Sequence, residues 1–470
     1  MATWLSRAPH RFLYRRYQWT EHPISSNFRT HHATSSARPA PSRKRGGNRA
    51  GNRFSPHRQP SAPVAPASLS QSSFPHRDPR PPVASFTDAQ LGEQLVRTLA
   101  SNGMTEPFPI QAAALPDAIA GENLLGRAQT GAGKTLAFGL PLLHRLHSSR
   151  GSRSPNRPRG LVLVPTRELC QQVADALVPF ARALGLRVTT VYGGTSMGRQ
   201  IESLRRGADV VVATPGRLTD LIQRRACSLD DVSITVLDEA DHMCDLGFLP
   251  VVLQLLEQVP QEGQRLLFSA TLDGDVSKLV RRHLPNPVLV TLEDDAGSAD
   301  KMAHHAFEVA DRTAKQAMLR TLAGGAGRTL LFSRTKHGAD RLAHHLNQAG
   351  IRAAALHGGM TQGARSRALR GFSEGQCNVL VATDVAARGI HVDQVDLVVH
   401  ADPPTEVKTY LHRSGRTARA GASGAVVTVS VPEERNSVER LLRAAGVQVR
   451  PRRSDPTDTA VVELVGPPRI

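Results

Sequence analysis

The chain has 470 residues with 59 Lys and Arg against 41 Asp and Glu, which gives a formal net charge of +18. This length predicts two or three domains, and the basic balance favours a polyanionic partner. The four cysteines show neither zinc-site nor disulfide-framework spacing, and no apolar run is long enough to span a bilayer. We therefore expect a reduced, cytoplasmic, monomeric protein with no membrane segment.

Residues 1–80 carry much of the basic charge, with 14 Lys and Arg against two acids. The segment is rich in Pro, Ser, Arg and Gly and shows no sustained periodicity, which predicts a disordered tail. It could contact RNA, bind protein partners or be a leader without a fixed role. Its arginine-rich, acid-poor start is also typical of organelle transit peptides, which is a further alternative.

The globular pattern begins at Phe86, and a helix is predicted to begin near Gln111, 17 positions before Ala128. A side-chain amide offers a donor and an acceptor together, which suits N6 and N7 of adenine. Gln111 is therefore a candidate for reading a nucleotide base. The alternative is that it is an ordinary polar residue near a helix start.

A glycine-rich motif follows the predicted strand at Leu124 and precedes a helix predicted over residues 135–143. It fits the P-loop template except at its first position, where Ala stands instead of Gly. The glycines let backbone N–H groups face phosphates at the start of a helix. In such a loop the Lys reaches the β- and γ-phosphates of ATP, and the hydroxyl of the next residue ligates Mg²⁺. The motif consists of Ala128, Gln129, Thr130, Gly131, Ala132, Gly133, Lys134 and Thr135.

A second motif, Asp238-Glu239-Ala240-Asp241, follows the apolar run from Ile234 to Leu237. The apolar run predicts a buried strand of a parallel sheet, and ligands bind beyond the carboxyl ends of such strands. Acids at that place can hold Mg²⁺ or polarise an attacking water. Alone the motif could be a solvated acidic turn, but together with the P-loop it predicts a nucleoside triphosphatase.

Other predicted strands of the first half also end in small, hydroxylated or Arg-bearing residues. Parallel strands deliver these ends to one edge of a sheet, where backbone N–H groups, hydroxyls and guanidinium groups suit a phosphate chain. Singly each is an ordinary strand-to-helix turn, but as a set they predict a nucleic-acid track. The residues are Pro165, Thr166, Arg167, Gly194, Thr214, Gly216 and Arg217, with Ser269 and Thr271 after a further strand.

The acidic, small-residue stretch at 292–303 predicts a linker between two domains, residues 81–291 and 304–446. A C-terminal tail, residues 447–470, would follow, too short for an added RNA-binding domain. The second half has α/β periodicity without a P-loop, so we expect catalysis at a cleft between the halves. It contributes Arg416 and Arg419, which would share a face if helical. A guanidinium from another domain can neutralise the charge of phosphoryl transfer, although a basic surface helix would look the same.

With these motifs in place, the chain from about Phe86 to Ala445 resembles a DEAD-box RNA helicase of superfamily 2. The acidic motif spells the family's name, and residues 108–111 resemble its adenine-reading Q motif, with Phe86 in place of the upstream aromatic residue. The resemblance implies an α/β fold of two RecA-like parallel-sheet domains in tandem that close when ATP and RNA bind together.

The resemblance also implies roles for individual residues. Lys134, Thr135 and Asp238 would hold phosphates and Mg²⁺, and Glu239 would orient or deprotonate the attacking water. Arg416 and Arg419 would contact the γ-phosphate from the opposite wall. RNA contacts in the second half would involve Arg334, Gln362, Arg365 and Thr383. Coupling of ATP to RNA would involve Ser269, Thr271, Asp384, Arg388 and His412.

Two positions depart from the family pattern. His391 stands where Asp is usual near the ATP ribose, and Ala418 stands where Gly is commoner. We predict an ATP-dependent RNA helicase that locally unwinds or remodels short duplexes. The alternatives are an ATP-gated RNA clamp with little unwinding and a DNA helicase on the same fold.

Overall fold

A computed structural model of the chain describes residues 75–128, 131–149, 151–272, 274–292, 302–387, 395–418 and 423–466. Within these ranges the chain forms two seven-stranded sheets, and every strand pair in both is parallel. Helices connect the strands, as the handedness and length of parallel crossovers require. The expected α/β fold with two tandem RecA-like domains is confirmed. The tail predicted over residues 1–80 lies outside the described residues as far as residue 74.

The first sheet has the strand order β3-β4-β2-β5-β6-β1-β7. Its strands are β1 (Leu124–Arg127), β2 (Gly160–Leu163), β3 (Val188–Val191), β4 (Val210–Ala213), β5 (Ile234–Leu237), β6 (Gln264–Ser269) and β7 (Val288–Thr291). Its helices are α1 (Glu93–Ser101), α2 (Pro109–Ala120), α3 (Lys134–Ser148), α4 (Arg167–Ala183), α5 (Met197–Arg205), α6 (Pro215–Gln223), α7 (Ala240–Asp245), α8 (Leu249–Leu256) and α9 (Gly274–His283).

The second sheet has the equivalent order β10-β11-β9-β12-β13-β8-β14. Its strands are β8 (Met302–Glu308), β9 (Thr329–Phe332), β10 (Ala353–Leu356), β11 (Val379–Ala382), β12 (Leu397–His400), β13 (Gly424–Ser430) and β14 (Arg452–Arg453). Its helices are α10 (Arg312–Ala323), α11 (Lys336–Gln348), α12 (Gln362–Ser373), α13 (Asp384–Ala387), α14 (Val407–Ser414), α15 (Arg435–Ala444) and α16 (Thr459–Val465).

Each sheet is covered by helices on both faces, which is why its central strands are almost entirely apolar. In the first sheet, Val162 and Val236 pack into one apolar layer, and Leu163 and Leu237 pack into the other. The second sheet likewise separates two apolar layers. Because the strands are parallel, all of their carboxyl ends in one sheet meet at one edge, and the candidate site lies at that edge.

Described residues of both predicted tails pack against the neighbouring domains. Residues 75–80 were predicted to be part of the N-terminal tail, and Arg77 forms a parallel bridge with Val288 while Arg80 pairs with Asp117. Residues 447–470 were predicted to be a C-terminal tail, and within their described part β14 pairs with β8 and Val461 of α16 is fully buried. Residues 75–80 and 447–466 therefore pack with the domains beside them.

Candidate active site

The P-loop joins β1 to α3, and Lys134 is the first residue of that helix. Gly131 and Gly133 have φ angles of +95° and +86°, a left-handed backbone that glycine adopts readily. Lys134 is 5% exposed, and its Nζ donates to the Ala128 carbonyl oxygen at 3.1 Å. The turn thus holds a buried ammonium group at the start of a helix, as phosphate binding requires. Gln129 and Thr130 lie outside the described residues.

The sheet order places the acidic motif beside the P-loop. The acidic motif follows β5 and the P-loop follows β1. Both strands neighbour β6, so only one strand separates the two motifs. Lys134 Nζ lies 4.0 Å from Asp238 Oδ1, and Asp238 and Glu239 are 3% and 4% exposed. The two motifs that the sequence separates by about a hundred residues therefore form one buried polar site.

The two carboxyl groups of this site differ in their ionisation. Burial raises the pKa of Asp238 to about 6, although the charge of Lys134 acts in the opposite direction. Burial would also raise the pKa of Glu239, but the hydrogen bond from His242 and the charges of His242, Lys134 and Arg416 hold that pKa well below its usual value. Glu239 therefore stays ionised to a lower pH than Asp238 does.

The donor set at this edge fits a magnesium ion. Mg²⁺ commonly takes one or two protein oxygens and fills its octahedron with water and phosphate oxygens. Asp238 offers a buried carboxylate, and Thr135 offers a hydroxyl in the first turn of α3. In the described part of the chain no group of three or more His, Cys, Asp or Glu could hold a metal by itself.

Asp241 connects the acidic motif to the residues after β6. Its Oδ2 accepts the Thr271 backbone N–H at 3.1 Å, and its own backbone N–H donates to Ser269 Oγ at 3.2 Å. Ser269 Oγ in turn donates to the Thr271 carbonyl oxygen at 2.6 Å. A displacement of the acidic motif would therefore also displace Ser269 and Thr271, and a displacement of these residues would move the acidic motif.

Gln111 has partners for both ends of its amide. Its Oε1 accepts the Phe108 backbone N–H at 3.0 Å, and its Nε2 donates to the Gly133 carbonyl oxygen at 2.9 Å. The residue is 2% exposed and joins the start of α2 to the P-loop. Phe86 is buried in the first core, whereas Phe108 is 54% exposed and packs beside Gly133.

The candidate RNA residues of the first half follow β2, β3 and β4, at the same edge of the sheet. Thr166 caps α4 by accepting the Leu169 N–H, and Pro165 is buried. Arg167 lies over Gly194. A Cβ atom added to Gly194 would lie 2.2 Å from Arg167 Nη1. Thr214 and Gly216 lie at the start of α6, and Arg217 Nη1 donates to the Thr195 carbonyl oxygen at 3.4 Å.

Some candidate RNA residues of the two halves contact each other. Gln362 Nε2 and Arg365 Nε both donate to Glu168 Oε1, at 3.0 and 2.9 Å. Arg167 Nη1 is 3.5 Å from Gln362 Oε1. A further ion pair, Lys408 Nζ to Asp245 Oδ1 at 2.7 Å, joins α14 to α7. The two halves are thus connected by charged and polar contacts at two places.

Asp384, another predicted residue of the second half, pairs with Arg413. The Arg413 guanidinium pairs with both carboxylate oxygens of Asp384 and stacks 4.9 Å from the ring centre of Phe332. Arg334 follows β9, with its backbone N–H bound to Asp402. Thr383 directly follows β11, and its backbone N–H donates to the Leu356 carbonyl oxygen. His412 lies in α14.

A shared face of Arg416 and Arg419 was expected only if both residues were helical. Helix α14 ends at Ser414 and Gly415 follows as its C-terminal cap, so Arg416 lies beyond the helix. Arg416 Nε is 3.4 Å from the His412 carbonyl oxygen, and its charge contributes to the low pKa of Glu239. Ala418 has a φ of +55°. Arg419, Arg388 and His391 lie outside the described residues.

Three residues of this site were missed from the sequence. Glu168, His242 and Arg413 each pair with a residue that had been identified, namely Arg365, Glu239 and Asp384. Only the short separation of three positions from Glu239 could have drawn attention to His242, since side chains at this spacing often meet near a helix start. The other two pairs join residues distant in sequence.

None of the helices in the described ranges is both long enough and apolar enough to cross a membrane. Comparison with family models matches residues 108–279 to the DEAD/DEAH box helicase model and residues 314–421 to the helicase conserved C-terminal domain model. These matches cover the P-loop, the acidic motif and the segment with Arg413 and Arg416.

Curated relatives are similar over most of the chain. DEAD-box ATP-dependent RNA helicase 9 of Oryza sativa is 40% identical over 366 residues, covering 76% of this chain and 58% of that protein. DEAD-box ATP-dependent RNA helicase CshA of Bacillus licheniformis is 38% identical over 357 residues, covering 76% of this chain and 72% of that protein. The chain thus spans less than two thirds of the rice relative's length.

Among solved structures, S. cerevisiae Dbp5 bound to RNA and ADP BeF3 is similar with a TM-score of 0.71 and 28% sequence identity. The likeness covers 82% of this chain and all of that one. The same tandem arrangement of two parallel sheets therefore occurs in a protein seen with a nucleotide analogue and RNA.

Proposed function

The chain belongs to the DEAD/DEAH box helicase family, and on that basis we propose that it is an ATP-dependent RNA helicase that locally unwinds or remodels short RNA duplexes. The observation that carries this proposal is the buried site at which Lys134, Asp238 and Glu239 of the first domain meet the charge of Arg416 from the second. A hydrolytic site built from both domains links ATP turnover to their relative position.

The chemistry follows from the charges at this site. Lys134 would bind the β- and γ-phosphate oxygens, and Arg416 and Arg419 would neutralise charge that develops on the γ-phosphoryl group. Asp238 and Thr135 would hold Mg²⁺, which when bound neutralises phosphate oxygens. Glu239, which stays ionised to a lower pH than Asp238, would orient the attacking water and accept its proton. Gln111 would read the adenine edge.

Coupling to RNA would pass through the hydrogen bonds of Asp241 with Ser269 and Thr271. These bonds tie the acidic motif to the strand end after β6, at the edge that carries the candidate RNA residues. In the second domain, the pairing of Arg413 with Asp384 connects the arginine segment to the end of β11. Movement of the γ-phosphate could thus shift the strand ends that would hold RNA. We propose that ATP and RNA together close the two domains.

The proposal that the polyanion is RNA rests on two observations. The strand ends of both domains present hydroxyl groups, backbone N–H groups and arginines that suit a phosphate backbone. The similar structure of Dbp5 was determined with RNA and ADP BeF3, which supports RNA as the ligand of this arrangement. The alternative is a DNA helicase, which a comparison of RNA with DNA of the same sequence would exclude.

The test measures ATP hydrolysis and strand displacement with the full chain. A short fluorescent RNA duplex should be displaced only when ATP is present, and RNA should stimulate hydrolysis where DNA of the same sequence does not. Glu239→Gln is the matched control: it should bind ATP and RNA but hydrolyse at least about 100-fold more slowly. Tight ATP-dependent RNA binding without displacement would instead favour the clamp, and equal stimulation by DNA would contradict the RNA assignment.

Partners and location are also proposals. We propose a cytoplasmic monomer whose residues 1–74 add RNA affinity or bind protein partners. Deleting residues 1–74 should weaken RNA binding most at low salt, because phosphate contacts release counterions. It should leave the turnover rate at saturating RNA unchanged. Equal affinity of both proteins at low salt would contradict an RNA role for this segment.

A further inference from the structure

His242 lies in the helix that follows the acidic motif, and its ring reaches back to Glu239. His242 Nδ1 is 3.1 Å from Glu239 Oε2, and the two residues are 6% and 4% exposed. The His242 backbone N–H is held separately by Asp241 Oδ1 at 2.9 Å. Because a carboxylate oxygen faces Nδ1, that nitrogen carries a proton and donates it in a hydrogen bond.

The second ring nitrogen of His242 has no such contact. In the part of the chain that the structure describes, Nε2 is buried without a hydrogen-bond partner. Burying a polar atom without a hydrogen-bond partner costs free energy. The presence of a histidine at this position therefore needs another explanation. A leucine would fill the same space without this cost. The feature that a leucine lacks is the Nδ1 donor facing Glu239.

The backbone at Glu239 explains why its carboxylate needs an external contact. Glu239 immediately precedes α7 with φ 52° and ψ 51°, a left-handed conformation that disfavours residues with a Cβ. The regular geometry of the helix therefore does not set the direction of its side chain. A general base must be aimed within a fraction of an ångström, since a misplacement of about 1 Å can cost roughly 100-fold in rate.

We propose that His242 is a positioning residue that holds the Glu239 carboxylate toward the attacking water. This inference rests on the proposed ATPase activity. The hydrogen bond from Nδ1 fixes one carboxylate oxygen and keeps the group from rotating, while the proton of the water passes to Glu239 and not to the imidazole. His242 itself contacts neither ATP nor RNA in this role, so it should affect the rate of hydrolysis and not nucleotide binding.

The test compares two substitutions of nearly equal shape. Asn places an amide N–H where Nδ1 stands, whereas Leu fills the same volume without a donor. In RNA-saturated ATPase assays, His242→Leu should lower kcat by about 10- to 100-fold, with the KM for ATP changed by less than about threefold. His242→Asn should stay within about threefold of the wild-type kcat. Circular dichroism and thermal unfolding check that each variant folds.

A second measurement keeps the test decisive if the leucine variant does not fold. His242→Gln carries its amide one bond further out, where it reproduces Nε2 and not Nδ1, so it should lose kcat as His242→Leu does. In the Glu239→Gln background, His242→Gln should cause no further loss of the single-turnover rate, because no carboxylate is left to position.

Three results would overturn the inference: wild-type kcat in the leucine variant, an asparagine variant as slow as the leucine variant, or a loss confined to KM. A further rate loss in the Glu239→Gln background would also overturn it, since a purely structural role would act there too. By contrast, a wild-type protein without RNA-stimulated hydrolysis would refute the proposed function itself.

Discussion

Arg365 Nε donates a hydrogen bond to Glu168 Oε1 over 2.9 Å, and this contact joins α12 of the second domain to α4 of the first. Both side chains are largely buried, with exposed fractions of 12% and 7%. Removing one partner of a buried charge pair leaves the other charge uncompensated, which is costly. The pair therefore favours the arrangement of the two domains in which it forms.

We expect Glu168→Gln to weaken RNA binding measured with a non-hydrolysable ATP analogue by about tenfold or more, equivalent to about 1.4 kcal/mol. RNA affinity without nucleotide should change little. Fluorescence anisotropy with a labelled single strand measures both. Glu93→Gln, which removes an exposed pair with Arg97 on α1, is the control and should have no effect. Tighter RNA binding by Glu168→Gln would mean that Glu168 competes with RNA for Arg365.

Gln111→Ala should raise the ATP concentration needed for half-maximal hydrolysis and relax selectivity for ATP over GTP. In the wild-type protein the Gln111 amide would distinguish the base edge of ATP from that of GTP. The same amide joins Phe108 to Gly133. Phe108→Ala is the matched control, because both Gln111 bonds use backbone atoms of their partners and survive the loss of the ring. Competition between ATP and GTP measures the selectivity. An unchanged ATP:GTP ratio in Gln111→Ala would show that Gln111 does not read the base.

Asp238→Asn should stabilise the nucleotide-free protein at neutral pH while abolishing hydrolysis. Because the pKa of Asp238 is raised from 3.8 to about 6, the folded protein binds this proton more tightly than the unfolded chain does. The ionised group thus opposes folding fully above about pH 6, and this opposition disappears as the pH falls through 6 toward 3.8. The expected gain at pH 8 is on the order of 3 kcal/mol.

Chemical unfolding of the wild type and Asp238→Asn between pH 4 and pH 8 checks this prediction. The difference in unfolding free energy should be largest at the alkaline end and should shrink toward pH 4. Glu239→Gln is the contrasting variant, because the pKa of Glu239 is lowered, and that carboxylate favours folding when it is ionised. If the difference in unfolding free energy did not change with pH, burial would not raise the pKa of Asp238.

Ala418→Gly should raise the thermal stability of the second domain. Ala418 has a φ of +55°, a conformation that costs a residue with a Cβ roughly 1–2 kcal/mol, partly offset by the greater freedom of glycine when unfolded. We expect a rise in Tm of about 1–3 °C. Ala349→Gly, at an exposed position with φ −86°, is the control and should not raise the Tm. A lower Tm for Ala418→Gly would show that other contacts hold this turn.

The strands and the nucleotide motifs were predictable because their physical signals are local. Parallel strands buried on both faces read as continuous apolar runs, as in residues 210–213 and 234–237. The residues that follow such strands lie at one edge for topological reasons. This reasoning predicts that Lys134 and Asp238 lie close together, and the distance of 4.0 Å between their charged groups agrees with it.

The sequence could not predict contacts that depend on the packing of distant elements. Glu168 and Arg365 lie 197 positions apart, and neither residue has a pattern that selects the other. The C-terminal strand was missed for a related reason. β14 consists of two arginines, so it shows no alternation of apolar and polar residues. It forms because Glu308 of β8 pairs with Arg453, and the ring of Phe307 lies 5.1 Å from the Arg452 guanidinium.

The attachment of β14 and α16 to the second domain has a practical consequence for producing the protein. Val461 is wholly buried beside Met318 and Leu322, and Arg453 accompanies the nearly buried Glu308. A shortened expression clone that stopped at residue 450 would uncover this apolar contact and the adjoining strand edge, a surface prone to self-association. Shortened versions of the protein should therefore keep residues 451–466.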